Sequence, residues 1–142
     1  MTGGIAVEKS VEVVNLTTAR PGPPLPWEFS YHCIAKMGSK YKDYVIMIGG
    51  LKHPNRTLIG ATKSNSGDFW AKPSWLGPKL QDGGRWSHSC THIKHNNGSN
   101  YVIVAGDHWN SLESHSTSEI LNTDGCNEYT CSSGWYPGED FL

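Results

Sequence analysis

Two similar stretches of sequence decide the fold of this chain: Tyr44-Val45-Ile46-Met47-Ile48-Gly49-Gly50 and Tyr101-Val102-Ile103-Val104-Ala105-Gly106. Each is a short run of apolar and β-branched residues that ends at glycine. Such a run is typical of a strand that is buried on both faces. The two runs begin 57 residues apart, which indicates that one structural unit occurs twice.

The repeat extends upstream of both runs. Residues 28–50 align with residues 85–107 at the same offset without a gap, and six positions are identical. Cys33 and Cys90 are one of the identical pairs. The unit is therefore roughly 50 to 57 residues long, a period found in propellers and other repeat architectures.

Other parts of the chain also favour strands over helices. Further strands are predicted at residues 11–15, 30–35, 57–62, 69–75, 87–93 and 118–122. No window shows apolar residues at helical spacing, and glycine or proline interrupts most candidates, so helix should be nearly absent. Four short strands per unit, with glycine after the second, is the pattern of a β-propeller blade.

The motifs around these strands resemble those of the kelch repeats. The resemblance rests on Gly49-Gly50 after an apolar strand, on Trp75-Leu76-Gly77-Pro78-Lys79-Leu80, and on Arg85 before Ser87-His88. The second unit departs from the pattern, because its glycine pair is replaced by Gly106-Asp107. The resemblance implies four-stranded antiparallel blades arranged around a central axis.

The predicted fold is therefore all-β, with kelch-type blades in an incomplete ring. The chain is divided into a half blade at residues 1–26, a blade at 27–84 and a blade at 85–142. The resemblance implies closed rings of five to seven blades, and two and a half blades leave apolar sheet faces in water. Three outcomes stay open: a fragment of a longer protein, a ring completed by oligomerisation, or an open arc.

Composition and motifs exclude several classes of function. The formal net charge is −1 and the pI is near 6.6, so the basic excess of a nucleic-acid binder is absent. The longest apolar run, Tyr44 to Ile48, is much shorter than the roughly 20 residues of a membrane helix, and no membrane span is predicted. No nucleophile elbow, zinc-protease motif or phosphate-binding loop occurs. The expectation is a non-enzyme without a cofactor.

One stretch combines metal-ligating residue types. His88, Cys90 and His92 alternate, so a strand places them on one face, and imidazole and thiolate are zinc and copper ligands. The competing interpretation is a structural histidine and a small buried cysteine. Galactose oxidase also uses kelch-type blades, but the spacing of Tyr31, His88 and His108 selects no copper site. We predict no metal, with His88, Cys90 and His92 as candidate ligands of the alternative.

Four cysteines give two further predictions. Cys126 and Cys131 have four residues between them, enough for a disulfide across a small turn. Cys33 and Cys90 occupy matching positions in the two units, so they are either buried free thiols or bonded across the blades. Free thiols are the favoured prediction.

Three Asn-x-Ser/Thr sequons begin at Asn15, Asn55 and Asn97. Each is a candidate for N-glycosylation. Together with the predicted disulfide they favour a secreted or extracellular location over a cytoplasmic one.

Long loops are the expected place for a binding site in such a fold. His108-Trp109-Asn110 follows a predicted strand and combines an aromatic with polar neighbours, and His53 is a further candidate. The predicted function is a non-catalytic binding module for another protein. The alternatives are a self-assembling fragment whose partner is its own copy, and a metal-binding, galactose-oxidase-like oxidase fragment.

Overall fold

The structure is a computed structural model of the chain, and it describes residues 12–14, 19–21, 25, 27–38, 44–61, 77–81, 83–106, 117–126 and 131–138. Nine strands occur in these residues: β1 Glu12–Val14, β2 Ala19–Pro21, β3 Cys33–Lys36, β4 Tyr44–Ile48, β5 Thr57–Ala61, β6 Ser89–Lys94, β7 Asn100–Ala105, β8 Ser118–Asn122 and β9 Tyr136–Pro137. The helical content of the same residues is limited to a short 3-10 turn at Thr123–Gly125 and to Gly138, which also has 3-10 conformation. The prediction of an all-β chain with almost no helix is confirmed.

The strands form antiparallel sheets in chain order. β1 pairs with β2, β3-β4-β5 form a three-stranded sheet, and β6-β7-β8-β9 form a four-stranded sheet. The predicted strand at residues 69–75 lies outside the described residues. β2 was not predicted, because Ala19–Pro21 lacks a β-branched run and ends in proline, which is depleted in strands.

No helix within the described part of the chain is long and apolar enough to cross a membrane.

The two larger sheets contact each other most closely along their first strands, β3 and β6. Residues directly opposite in an antiparallel pair share a face, so Ile48 lies on the face of Cys33, and Val104 on the face of Cys90. The disulfide between these cysteines shows that the two faces meet. Six apolar side chains on these faces are fully buried: Ile46, Ile48, Ile59, Val102, Val104 and Leu121. They form the core between the sheets.

The central strands β4 and β7 differ in burial. Ile46, Met47 and Ile48 have no exposed surface, so β4 is covered on both faces as predicted. β7 instead alternates between buried and half-buried residues, and Ile103 is half-buried. The prediction of burial on both faces is therefore wrong for β7. The face of Ile103 is opposite to the one that packs on the three-stranded sheet.

The register of the first strand differs by one residue from the sequence alignment. Cys33 pairs with Ile48, whereas Ala105, which follows Ile48 by 57 positions, pairs with Ser89. Ser89 is thus the structural equivalent of Cys33, and the alignment of Cys33 with Cys90 is wrong by one position. A shift of one residue moves a strand side chain to the other face of its sheet.

The backbone conformation supports the same register. Tyr31 and Ser87, 56 positions apart, both have φ of 53°, a left-handed conformation that is rare outside glycine. In this register the structural equivalent of Cys90 is Ile34, which is 43% exposed on the far face of the three-stranded sheet. The two sheets therefore pack through non-equivalent faces, an arrangement that we call head to tail. The Cys33 face of the three-stranded sheet contacts the Cys90 face of the four-stranded sheet.

Candidate functional site

Three chain segments meet at the end of the sheets where β3 and β6 begin, which we call the entry end. They are residues 27–32 before β3, residues 49–56 between β4 and β5, and residues 83–88 before β6. Four backbone hydrogen bonds join them: Gly50 N to Arg85 O (2.9 Å), Leu51 N to Ser30 O (2.9 Å), Ser87 N to Tyr31 O (2.9 Å) and Arg85 N to Pro54 O (2.7 Å). These bonds fix the three segments relative to one another.

The glycine pair after β4 makes this approach possible. Gly49 and Gly50 have φ of 64° and 112°, which disfavour any side chain. A Cβ on Gly49 would lie 2.4 Å from the carbonyl oxygen of Arg85, and one on Gly50 would lie 2.7 Å from that of Ser30. Both glycines are therefore required by the close passage of a neighbouring backbone.

A buried ion pair anchors the third segment to the four-stranded sheet. The Arg85 side chain has no exposed surface, and its Nε lies 3.3 Å from Oε2 of Glu119. Its other nitrogens donate to Thr117 O at 3.0 Å, to Thr117 Oγ1 at 2.9 Å and to Gly106 O. Glu119 also accepts from the backbone N–H of Gln81 at 2.7 Å. Full pairing of both charges makes this a structural element.

Aromatic side chains gather at the entry end. Trp27 stacks on Phe29 at 5.4 Å and meets His53 edge-on at 6.0 Å, and the guanidinium of Arg56 lies 5.7 Å from the Trp27 ring centroid. The arrangement combines apolar rings with a cation, as interface anchors commonly do.

Tyr31 is the aromatic residue that extends furthest into solvent among these. It is 39% exposed, and its ring contacts Trp86 edge-on at 5.8 Å. Lys52 is more exposed, and its ammonium forms an ion pair with Glu28. We use "entry-end surface" for the following set: Trp27, Glu28, Tyr31, Lys52, His53, Arg56 and Trp86.

The two histidines near this surface favour the neutral form. Burial lowers the pKa of His32, whose ring meets Phe29 edge-on at 5.3 Å. Burial, followed by the positive charges of Arg56 and Lys52, lowers the pKa of His53, and the carboxylate of Glu28 opposes these effects. At neutral pH both imidazoles are therefore uncharged polar groups.

The structure places only part of the predicted binding site. His53 belongs to the entry-end surface. His108, Trp109 and Asn110 lie outside the described residues, between β7, which ends at the entry end, and β8, which begins there. Sequence analysis missed Tyr31, Trp27 and Arg56 as surface residues. The left-handed conformation of Tyr31 and its partner Trp86 had no sequence signal.

The predicted candidate metal ligands do not form a metal site. Cys90 is bonded to Cys33, so it offers no thiolate. His92 Nε2 lies 2.9 Å from Oδ1 of Asn100, and His88 is buried before β6 begins. No group of three or more His, Cys, Asp or Glu side chains with metal-binding geometry occurs in the residues that the structure describes.

Both cysteine pairs are disulfides. The prediction for Cys126 and Cys131 is confirmed, and their Cα atoms lie 3.8 Å apart. The favoured prediction of free thiols at Cys33 and Cys90 is wrong, since their Cα atoms are 6.0 Å apart and no described cysteine is free. The one-residue register shift explains this result, because it turns the two side chains toward each other across the sheets.

The opposite end of the sheets, where β3 and β6 end, is held by polar contacts. The Asn100 backbone N–H and side-chain amide donate to the Asp124 carboxylate at 2.8 and 3.0 Å. The Thr123 hydroxyl donates to the carbonyl of Asn100 at 3.1 Å and to that of Met37. The bond to Met37, which follows β3, ties the three-stranded sheet to the four-stranded sheet. We call this end the turn end. Sequence analysis did not single out Asn100.

No protein-family model matches the chain, and no curated protein matches it either.

Proposed function

We propose that this chain is a segment of a kelch-type β-propeller and acts as a non-catalytic binding module, with a protein partner at the entry-end surface. The observation that carries the proposal is Tyr31. It is a large aromatic side chain, exposed to 39%, on a backbone with φ of 53°. Strained residues that the surrounding structure holds in place cluster at functional sites, and exposed aromatics are frequent interface anchors.

The propeller part of the proposal is supported by the head-to-tail contact of the sheets. In a ring of blades, one face of each sheet packs on the opposite face of the next. Here Cys33 and Cys90 lie on opposite faces of equivalent strands, and the contact is closest along the first strands. The four-stranded, chain-order sheet and the glycine pair at Gly49 fit the same architecture.

The protein-binding part is supported by the chemistry of the surface. Tyr31 and Trp27 supply rings, while Lys52 and Arg56 supply cations. Neutral His53 adds a donor and an acceptor without charge. Such a mixture of rings and polar groups is typical of protein interfaces. The two disulfides support a secreted or extracellular location for this binding.

A photo-crosslinking experiment tests the binding site. The crosslinking amino acid p-benzoylphenylalanine replaces Tyr31 in one sample and Asn96, exposed at the turn end, in the control. Each protein is irradiated in extracellular fluid of the source organism, and adducts are identified by mass spectrometry. We expect a protein adduct at position 31 that excess unlabelled chain competes away, and about tenfold weaker competition by the Tyr31→Ala chain. Equal adducts from both positions, or none at position 31, would refute the proposal.

A specific observation favours self-assembly as a second candidate function. The outer face of the four-stranded sheet carries Ile103, half-buried, and Thr91, exposed. Their equivalents on the three-stranded sheet, Ile46 and Ala35, are buried against the neighbouring sheet. In the described residues, the positions of this outer face repeat those of an interface that the molecule already makes once, so a second copy of the chain is its candidate occupant.

Sedimentation equilibrium tests self-assembly. The wild-type chain is expected to associate with increasing concentration, and Ile103→Lys is expected to abolish association by placing a charge in the interface. Lys79→Glu, at an exposed position, is the matched charge control and is expected to associate normally. A single-chain mass at all soluble concentrations rules out this function and leaves the first proposal standing.

A further inference from the structure

The three sequons differ in their structural setting. Asn15 lies outside the described residues. Asn55 and Asn97 are both described, and they lie at opposite ends of the sheets.

Asn97 lies at the tip of the β6–β7 connection, at the turn end. The turn is closed by the bonds from Gly98 N to His95 O (2.9 Å) and from His95 N to Ser99 O (2.8 Å). Asn97 is exposed, and its Oδ1 accepts from the backbone N–H of Ser99 at 2.9 Å. This bond orients the side chain through its oxygen and does not use the amide nitrogen.

The space around Asn97 is open. Gly98 has φ of 90°, and a Cβ built on it would meet no atom within 4 Å. Residues 94–98 are all exposed. A bulky substituent at the tip of this turn displaces nothing in the described structure.

Asn55 is more enclosed. It is half-buried, its carbonyl accepts from Leu80 N at 2.9 Å, and a Cβ on Gly84 would lie 2.6 Å from its backbone nitrogen. The hydroxyl residue of its sequon, Thr57, is 1% exposed and donates to Pro78 O at 2.9 Å. Its neighbour Arg56 belongs to the entry-end surface.

We propose that Asn97 carries an N-linked oligosaccharide. In the transfer, the Asn97 amide nitrogen forms a bond to C1 of an oligosaccharide linked to a polyprenyl diphosphate. The bond from C1 to the diphosphate oxygen breaks, the diphosphate leaves with the electron pair, and the amide loses one proton; nothing is oxidised or reduced. The modified residue lies at the turn end, so the entry-end surface stays uncovered.

Peptide mapping of secreted protein tests this modification. The full chain is expressed behind a cleavable secretion signal in a eukaryotic cell line, and the purified protein is digested before and after enzymatic removal of N-glycans. The Asn97 peptide is expected to gain an aspartate at position 97 on deglycosylation. The Asn97→Gln and Ser99→Ala chains are each expected to lose the mass of one glycan.

Asn55→Gln is the matched control and is expected to leave the glycan on Asn97 in place. The Ser99→Ala chain retains the Asn97 side chain, so loss of the glycan there shows that the sequon is read and that the loss does not depend on removing the asparagine. A secreted chain with both disulfides formed, whose Asn97 peptide is recovered unmodified, overturns the proposal. So does a glycan at position 97 that persists in Ser99→Ala.

Discussion

Removal of the disulfide between Cys33 and Cys90 is expected to destabilise the chain more than removal of the other disulfide. The first closes a loop with a sequence separation of 57, and the second one of 5. In the chain-entropy model, a disulfide stabilises by restricting the unfolded chain, with a term that grows as 1.5R ln n. The model gives about 4 kcal/mol for the long loop and about 2 kcal/mol for the short one at 25 °C, a difference of about 2 kcal/mol.

Urea unfolding of two double variants measures this difference. Cys33→Ala/Cys90→Ala is compared with Cys126→Ala/Cys131→Ala, so that each variant lacks two sulfur atoms and the constant part of the entropy cancels. Thiol titration of the denatured wild-type chain without reductant checks the starting state and is expected to find no free thiol. Two free thiols, or an equal loss of stability in both variants, would contradict the assignment of the long-range bond.

Three further changes are expected to alter stability for separate reasons. Gly49→Ala places a Cβ 2.4 Å from a backbone oxygen at φ of 64°, and should cost at least about 2 kcal/mol in urea unfolding, whereas Gly98→Ala, in open space, should cost about 1 kcal/mol. Glu119→Gln leaves the buried charge of Arg85 without its partner, and a loss of about 3 to 5 kcal/mol is expected; a loss under about 1 kcal/mol would show that the pair is not needed. Burial lowers the pKa of His32, so the unfolded chain binds the proton more readily, and stability should fall as the pH drops below about 6.5 toward the lowered pKa. A His32→Gln chain should show a flatter decrease between pH 7 and 5, and an unchanged slope would exclude His32 as the cause.

The sequence predicts the strands well where its signal is local. Tyr44–Ile48 is a strand at the predicted bounds, because an unbroken apolar run between polar residues and glycine leaves few alternatives. The glycine pair that follows this strand was recognised from its residue types as part of the repeat motif. The reason why Gly49 must be glycine was not visible in the sequence. The Arg85 carbonyl oxygen, which would clash with a Cβ at this position, belongs to a segment that is distant along the chain.

The register of β6, and the choice between free and bonded Cys33 and Cys90, could not be decided from the sequence pattern. A gap-free alignment matched Cys33 with Cys90, because it assumes one constant offset and takes identical residues to be structurally equivalent. The chain from Ser89 to its partner Ala105 is one residue longer than the chain from Cys33 to its partner Ile48, and no local preference predicts this difference. The pairing of the two cysteines depends on this shift, so the favoured free thiols were wrong for the same physical reason.

The candidate surface was predicted only at His53. Loop length drew attention to His108, Trp109 and Asn110, which the described residues do not include. Tyr31 was passed over because neither its left-handed backbone nor the hydrogen bond that its carbonyl accepts from Ser87 N has a signal in the sequence. Contacts of that kind join segments that are far apart in the chain, so a local sequence pattern does not predict them.

The meeting of unlike faces between the two sheets has a consequence for how such chains evolve. A unit has two different faces, a front and a back, and the front of one unit packs on the back of the next. When the gene segment for such a unit is duplicated, the added unit can pack beside the original through the same kind of interface. The inter-sheet bond from Cys33 to Cys90 requires a cysteine on the front of one unit and on the back of the next. A duplicated unit that kept only one of these cysteines would still stack, but it would lack the covalent link to its new neighbour.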